Sequence, residues 1–358
     1  MNDPRNNTII LVNSFRESGI GSFGWKLKLE LEKKMPVKYV EITPTWRGLF
    51  RLWNDILLCN SKVVFNLGFT SFGRSIYRNF INFLILKIFS LLLPGQSLIL
   101  HDSIDTSNIE NSGYSKSWLM PLGGSIATRM LKDFKIFVFS KCFYDILNKK
   151  YGFSHVFYFP FPTERETTME CYREDMEPLL LNVGYIAPYK GLDILPEIKT
   201  KLNNINTMIV GAFYKNLLLT KDGLLYKEEL VKVMKSAGIV MSGYIDDDSL
   251  IKLVKAHRTI AILPYVSGYN ASYSAIMFVA LGIPVVATNI DIFLESRENG
   301  AGLMVVDRTP EAFAGAITKI LNSPNLVEHL IEQDRSYCAR YSIDKLCTFI
   351  IEESKRFG

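Results

Sequence analysis

The sequence predicts an α/β protein made of two doubly wound, Rossmann-like domains facing across a cleft. Three observations carry that reading. Strand-like and helix-like runs alternate from end to end. The strand-like runs are almost continuously apolar, as parallel strands covered on both faces must be. The alternation also stops at a polar, acidic stretch between Thr163 and Pro178 and then restarts, so that stretch reads as a linker. At 358 residues the chain is too long for one typical core and comfortable for two.

The first series runs in a regular order. Strands are predicted at 8–15, 37–43, 62–69, 96–103, 136–140 and 155–162, where β-branched and aromatic residues cluster. Helices are predicted over 24–34, 46–58, 76–93 and up to about 151, with a Ser-, Asn- and Gly-rich loop at 104–118. The second series places strands at 179–186, 206–213, 238–245, 259–266, 284–290 and 302–306. Helices follow Gly191, lie near 226–237, start at Asp247, lie near 271–281 and fill most of the remainder. The expected division is 1–165, 166–342 and a terminal helix over 343–358. In such folds ligands bind at the carboxyl ends of strands, so the space between the two domains is the default site.

Composition excludes several classes. Hydrophobic residues make up 48% and charged residues 22%, which is globular rather than disordered. The net charge of +5 is mild and forms no dense Lys/Arg stripe, so nucleic acid is not an expected partner. Cys59, Cys142, Cys171, Cys338 and Cys347 are scattered and form no CxxC pair. That argues against a disulfide framework or a zinc site and for a reducing compartment. The apolar run near Ile9 is too short for a signal peptide, so a cytoplasmic protein is expected.

Residues 76–93 are strongly apolar but interrupted by Arg78, Asn79, Asn82 and Lys87. A membrane span needs about 20 residues with few charges. Two readings remain: a buried helix, or a helix on the membrane surface with Arg78 and Lys87 towards headgroups. They are compatible if one face packs inward, and the second would place the protein at the inner membrane face.

Three loops at strand ends suit an anion. Ser18-Gly19-Ile20-Gly21-Ser22 follows the first strand and precedes a helix, where small residues and free amides let a phosphate approach. It is not a full GxGxxG, which disfavours a nicotinamide site. In the second series, Gly184-Tyr185 ends a strand and Lys190-Gly191 opens a helix. A lysine there is disfavoured by the helix dipole unless it meets an anion. The third loop, Ser267-Gly268-Tyr269-Asn270-Ala271-Ser272, leaves a strand and feeds a helix that ends at Gly282, before Pro284. Asp246-Asp247-Asp248 reads as an acidic turn in which Asp247 or Asp248 caps the next helix. No catalytic triad or zinc cluster is present in the pattern.

These segments, in this order, resemble the retaining GT-B glycosyltransferases of family 4. The match is most specific at Gly282-Ile283-Pro284-Val285-Val286-Ala287-Thr288 and at the segment from Gly243 to Leu250, good over 179–310 and weaker over 1–160. His101-Asp102 also resembles the family's His-Asp. The resemblance implies a nucleotide-sugar donor such as a UDP- or GDP-sugar, no cofactor and no metal. It implies a glycan or lipid-linked acceptor on the first domain. Gly19, Gly21, Gly184, Lys190 and the loop from Ser267 to Ser272 would surround the diphosphate, with the base near Tyr244 and Ile245. His101, Asp102 and Lys190 would carry the chemistry, Asp102 as the bolder candidate for a base facing the acceptor.

The departures are equally plain. The family's paired glutamates fall at Tyr269 and Met277, and its arginine falls at Tyr185. Tyr269 and Asn270 can hydrogen-bond a sugar hydroxyl, and Lys190 with the amides of Gly21, Ala271 and Ser272 can carry the phosphates. The rival is a silent subunit that positions a partner glycosyltransferase; a homo-oligomer belongs to the same set of expectations. A third reading, an epimerase on the same fold, needs cleft carboxylates that no motif marks.

Overall fold

The computed structural model describes residues 8–356 apart from 15–18, 44, 58–60, 69–70, 73–75, 94, 102–119, 170, 216 and 269–270. The first run of elements is β1 (Ile9–Asn13), α1 (Gly19–Glu32), β2 (Val37–Glu41), α2 (Trp46–Leu57), β3 (Lys62–Leu67), α3 (Ile76–Leu92), β4 (Ser97–Leu100), α4 (Met120–Met130), β5 (Lys135–Val138), α5 (Lys141–Asp145) and β6 (Val156–Tyr158). The second is β7 (Pro178–Val183), α6 (Leu195–Lys201), β8 (Asn206–Val210), α7 (Lys221–Ser236), β9 (Val240–Gly243), α8 (Asp247–Lys255), β10 (Arg258–Leu263), α9 (Tyr273–Leu281), β11 (Val285–Thr288), α10 (Asp291–Glu298), β12 (Leu303–Val306), α11 (Pro310–Asn322) and α12 (Pro324–Arg340). Helix α13 (Ile343–Arg356) ends the chain. Two compact units result. One takes the described residues through Pro162 and adds Tyr341–Gly358; the other is Thr163–Arg340.

In the first unit six parallel strands lie in the order β2-β1-β3-β4-β5-β6. Alternate strand residues separate the two faces. Ile10, Val12, Phe65, Leu98 and Ile136 join one core with Trp53 of α2, Phe83 and Phe89 of α3, and Leu131. Trp53 Nε1 also donates to Asn82 Oδ1 of α3 at 3.1 Å. Helix α13 lies against α1, and Lys34 meets Asp344 at 2.7 Å. Its last carbonyls are met by cations: Lys62 Nζ reaches Ser354 O at 2.9 Å, and the buried Lys135 reaches Glu353 O and Ser354 O at 3.3 and 3.2 Å. A cation at a helix C-terminus opposes the negative end of its dipole.

Helix α3 has a buried face and an exposed face, both largely apolar. Asn82, Phe83, Leu86 and Phe89 are buried while Leu84, Ile88, Leu91 and Leu92 are exposed. Lys87, assigned to headgroups in the second reading, has a partner within the protein. It is half-buried and paired with Asp133, because its position sits beside the inward stripe. The Arg78 side chain lies outside the described residues. Among the described residues, no helix is long and apolar enough to cross a membrane.

In the second unit the order is β12-β11-β10-β7-β8-β9, again all parallel. The stretch from Thr163, which starts at the boundary between the units, also packs against the second unit. Met169 N and Cys171 N donate to Ala280 O and Leu281 O at 2.9 Å each, satisfying the open carbonyl end of α9. Gly282 closes that helix in the left-handed conformation at φ 64°. The acidic turn is capped by Asp246, one residue before the expected Asp247 or Asp248, with Asp246 Oδ1 accepting from Ser249 N at 2.8 Å.

Asp334 of α12 is fully buried. Its Oδ1 accepts from Gly302 N at 2.8 Å, while Oδ2 has no hydrogen-bond partner. Burial holds this carboxyl well above the usual range. The folded state therefore keeps a proton that the unfolded state releases, and stability falls as pH rises through the ordinary aspartate pKa towards the raised one. Asp334→Asn removes that titration and keeps the acceptor. Calorimetry at neutral pH should show a midpoint higher by roughly 2–4 °C, equivalent to about 1 kcal/mol for a domain of this size. The gain should vanish below about pH 4, near the unfolded aspartate pKa. A lower midpoint at neutral pH would mean that Asp334 is ionised and paired.

Candidate functional site

Each sheet reverses its strand order once, and a ligand cradle forms at the carboxyl ends of the strands flanking such a reversal. In the second unit those strands are β7 and β10, paired from Arg258↔Pro178 to Ala261↔Leu181. Both are mostly buried and apolar, with the buried Asn182 one residue before the end of β7 and Arg258 and Thr259 at the start of β10. Gly184 then turns the chain at φ 124°, and Pro264 follows β10.

After Gly184 the chain makes a single 3₁₀ turn, Pro188–Lys190, closed by Gly191 at φ 61°. A Cβ on Gly191 would stand 2.1 Å from Pro264 O, so this contact demands glycine. Arg308 ties the loops: Nε donates to Pro264 O at 3.0 Å, Nη2 to Gly191 O at 3.2 Å, and Asp193 holds the guanidinium at 2.5 Å. Val266 N donates to Tyr189 O at 2.8 Å.

Lys190 ends this turn rather than opening a helix, and it is buried. It is 6% exposed. Its Nζ donates to Tyr265 Oη and lies 4.0 Å from the Tyr265 ring centroid and 5.4 Å from that of Tyr189. Burial works against its charge, but Tyr189 and Tyr265 beside it outweigh that and hold its pKa up. Burial likewise resists ionisation of Tyr265, and the Lys190 ammonium outweighs it, drawing the phenol down. The lysine is thus a buried, charged ammonium held by phenols and their rings.

The start of α9 completes the cradle. Ser272 caps it, its Oγ accepting from Ala275 N at 3.3 Å and lying 3.3 Å from Tyr265 Oη. Ser274 Oγ donates to Val183 O at 2.8 Å. A Cβ built on Gly184 would lie 2.9 Å from Ser274 Oγ and 3.5 Å from Lys190 Nζ, so the ammonium and hydroxyl converge over bare backbone. A buried cation, hydroxyls and a helix N-terminus converging on one point can stabilise negative charge on an oxyanion.

The structure brings together Gly184, Lys190 and Ser272 of the predicted set, with Ala271 next to the cap. Tyr185 is exposed and stands edge-on to Tyr214 at 5.8 Å. Met277 is half-buried one turn after Tyr273 on α9. Gly268 packs elsewhere: a Cβ there would meet Ile292 Cδ1 at 2.3 Å, so it and Ser267 follow the β11–α10 side. Tyr244 and Ile245 follow β9, two strands from β7, with Tyr244 79% exposed. Tyr269, Asn270 and Asp102 lie outside the described residues. Tyr265, Ser274 and Arg308 are additions. Nothing in their spacing marks them, because their roles depend on strands meeting in space.

The reversal in the first unit lies between β1 and β3. Both apolar strands carry a buried asparagine near their carboxyl ends, Asn13 and Asn66. Asn66 Nδ2 donates to Asn13 Oδ1 at 2.7 Å and to Ile20 O at 2.9 Å, and Asn13 Nδ2 donates to Gly21 O at 2.9 Å. His101 Nε2 lies 2.6 Å from Asn66 Oδ1, so that nitrogen carries the proton. Gly19 and Gly21 are not a free loop as expected; they form the first turn of α1, fixed by these asparagines. A polar residue closing an apolar strand is the signal that could have found Asn13 and Asn66.

Burial among Phe23, Phe139 and the strand ends pushes the His101 pKa down to about 3. At neutral pH it is a neutral hydrogen-bonding imidazole and a weak base. The unfolded chain binds a proton near pH 6.5 and the folded chain does not, so this histidine lowers stability as pH falls from about 6.5 to about 3. The slope is at most about 1.4 kcal/mol per pH unit. Urea unfolding at pH 7 and pH 5 should show His101→Asn losing less stability between the two than the parent. Equal losses would mean that His101 titrates normally.

Known proteins resemble this chain in part of its sequence and in its fold. Residues 164–337 match the family model described as Glycosyl transferases group 1. That match lies within the second unit. No curated protein matches the chain by sequence. Among solved structures, the chain resembles Anabaena HepE in complex with UDP, at 12% identity over 97% of this chain and 98% of that one, with a TM-score of 0.68. Sucrose-phosphate synthase from Thermosynechococcus elongatus gives 13% identity, 98% and 99% coverage and a TM-score of 0.72. WaaG, a glycosyltransferase involved in lipopolysaccharide biosynthesis, gives 13%, 97% and 99%, and 0.65. At these identities the likeness is one of fold: two Rossmann-like domains of the GT-B type, over almost the whole length.

Proposed function

We propose that this chain is a retaining, metal-independent glycosyltransferase resembling family 4, moving a hexose from a UDP- or GDP-sugar to a glycan or lipid-linked acceptor. One observation carries it. Lys190 is a buried ammonium at the strand reversal of a glycosyl transferase domain, beside the N-terminus of α9, and its partners are phenols rather than carboxylates. A leaving nucleoside diphosphate supplies the missing negative charge, and the ammonium stabilises it as the anomeric C–O bond breaks. The Tyr265 and Ser272 hydroxyls orient the phosphate oxygens. The UDP and UDP-glucose bound by Anabaena HepE support a uridine donor. Tyr185 and Tyr214 offer ring faces near the strand ends for its base. His101 contributes from the first unit as a neutral hydrogen-bond partner towards the acceptor.

The lost carboxylates at Tyr269 and Met277 leave recognition of sugar and ribose to neutral groups. Weak discrimination among hexoses follows. A thermal-shift panel of UDP, GDP, dTDP and their sugar conjugates tests the reading. A ligand at about 100 times its dissociation constant adds roughly 2.7 kcal/mol, a visible rise in midpoint. UDP or GDP and their sugars should give that rise. No rise with any nucleotide would favour the silent subunit.

A further inference from the structure

We propose that the outer face of α2, α3 and α4 is a docking surface for an anionic lipid bilayer. The proposal deepens the function above and rests on it for placing the acceptor at a membrane. The three helices cover the same face of the first sheet and share one core. Their outward sides are the unusual feature. Among the described side chains of α3 the exposed ones are Phe80, Ile81, Leu84, Ile88, Leu91 and Leu92, the last two 64% exposed. Their spacing makes one continuous stripe, and every member is apolar. On a soluble surface helix that stripe should be polar. Helix α4, packed beside it, continues the patch with Leu122 and Ile126. Helix α2 adds Phe50, 71% exposed. A patch of this extent on a monomer marks an interaction site.

Charge selects the occupant. Arg129 falls on the same side of α4 as Leu122 and Ile126, Lys132 follows it, and Arg47 and Arg51 flank Phe50; all four are exposed. Among the described side chains of this layer the acid is Asp133, and Lys87 neutralises it. Apolar side chains rimmed by unopposed cations suit insertion to the depth of the acyl boundary beneath anionic headgroups. A protein partner would need complementary acids and its own apolar face; a bilayer supplies both.

The test is vesicle flotation of the full chain, with phosphatidylcholine alone and with added phosphatidylglycerol. The parent should float with anionic vesicles and much less with neutral ones, and salt should weaken it. Leu84→Glu/Ile88→Glu should cut binding at least tenfold, and Arg129→Glu/Lys132→Glu should remove the preference for anionic lipid. All four positions are exposed, and an unchanged circular dichroism spectrum confirms folding. Absent flotation of the parent, or equal flotation of Leu84→Glu/Ile88→Glu, overturns the proposal. So does a dimer by light scattering that Leu84→Glu/Ile88→Glu splits, which would assign the face to a second copy. The nucleotide thermal shift is read on the same samples. Flotation without a shift defeats the donor reading and leaves the docking surface standing.

Discussion

Lys190→Met should weaken nucleotide binding at least tenfold while leaving the fold as stable as before or more so. The two effects separate a binding lysine from a structural one. A charged hydrogen-bond donor is worth about 1.5–3 kcal/mol, so its loss should raise the nucleotide dissociation constant by roughly 10- to 150-fold. The fold responds differently. Lys190 is 6% exposed and its partners are Tyr265 Oη and two rings. Burying an ammonium without a carboxylate costs stability, and replacing it by an apolar side chain of similar length removes that cost. The loss of one hydrogen bond to Tyr265 offsets part of the gain. Calorimetric titration with UDP and urea unfolding without it give both numbers. Lost stability with retained affinity would mean that Lys190 serves only to hold its loop.

Gly24→Ala should destabilise the first unit even though alanine is the better helix former. In the interior of a helix alanine is favoured over glycine by about 1 kcal/mol. Here a Cβ would stand 2.0 Å from Asn13 Oδ1 and 2.6 Å from Asn66 Nδ2, neither of which is the end of a flexible chain. Asn13 and Asn66 are fully buried and bound to each other, to the carbonyls of Gly21 and Ile20, and to His101. Displacing them leaves buried amides unsatisfied, at about 1–3 kcal/mol each. The net loss should be roughly 2–4 kcal/mol, near the upper end for single substitutions. Urea unfolding checks it. A gain of about 1 kcal/mol, the propensity effect alone, would show that the network gives way freely.

The fold was legible because both sheets are parallel and covered. Strands such as Ile9–Asn13 and Arg258–Leu263 are apolar nearly throughout, and that pattern survives without knowledge of tertiary contacts. Gly282 and Pro284 marked the end of α9 for the same local reason. What escaped was everything that depends on distant segments meeting. Lys190 was marked by its place before Gly191, but its burial was not, because Tyr265, which meets its ammonium, lies 75 residues on. Gly19 and Gly21 read as a phosphate loop, yet Asn13 and Asn66 draw their segment into a helix. The stretch after Thr163 starts at the boundary between the two units, but the sequence did not show that its backbone amides meet the open end of α9. Each of these features has the same source: a contact whose partner lies on another strand end or helix end.

Hydrogen exchange with and without UDP locates the donor directly. Protection concentrated at the turn from Gly184 to Gly191 and at the start of α9, around Ser272 to Ala275, is the predicted result. Protection confined to other segments, with those two unchanged, would contradict the assignment of the cradle between β7 and β10.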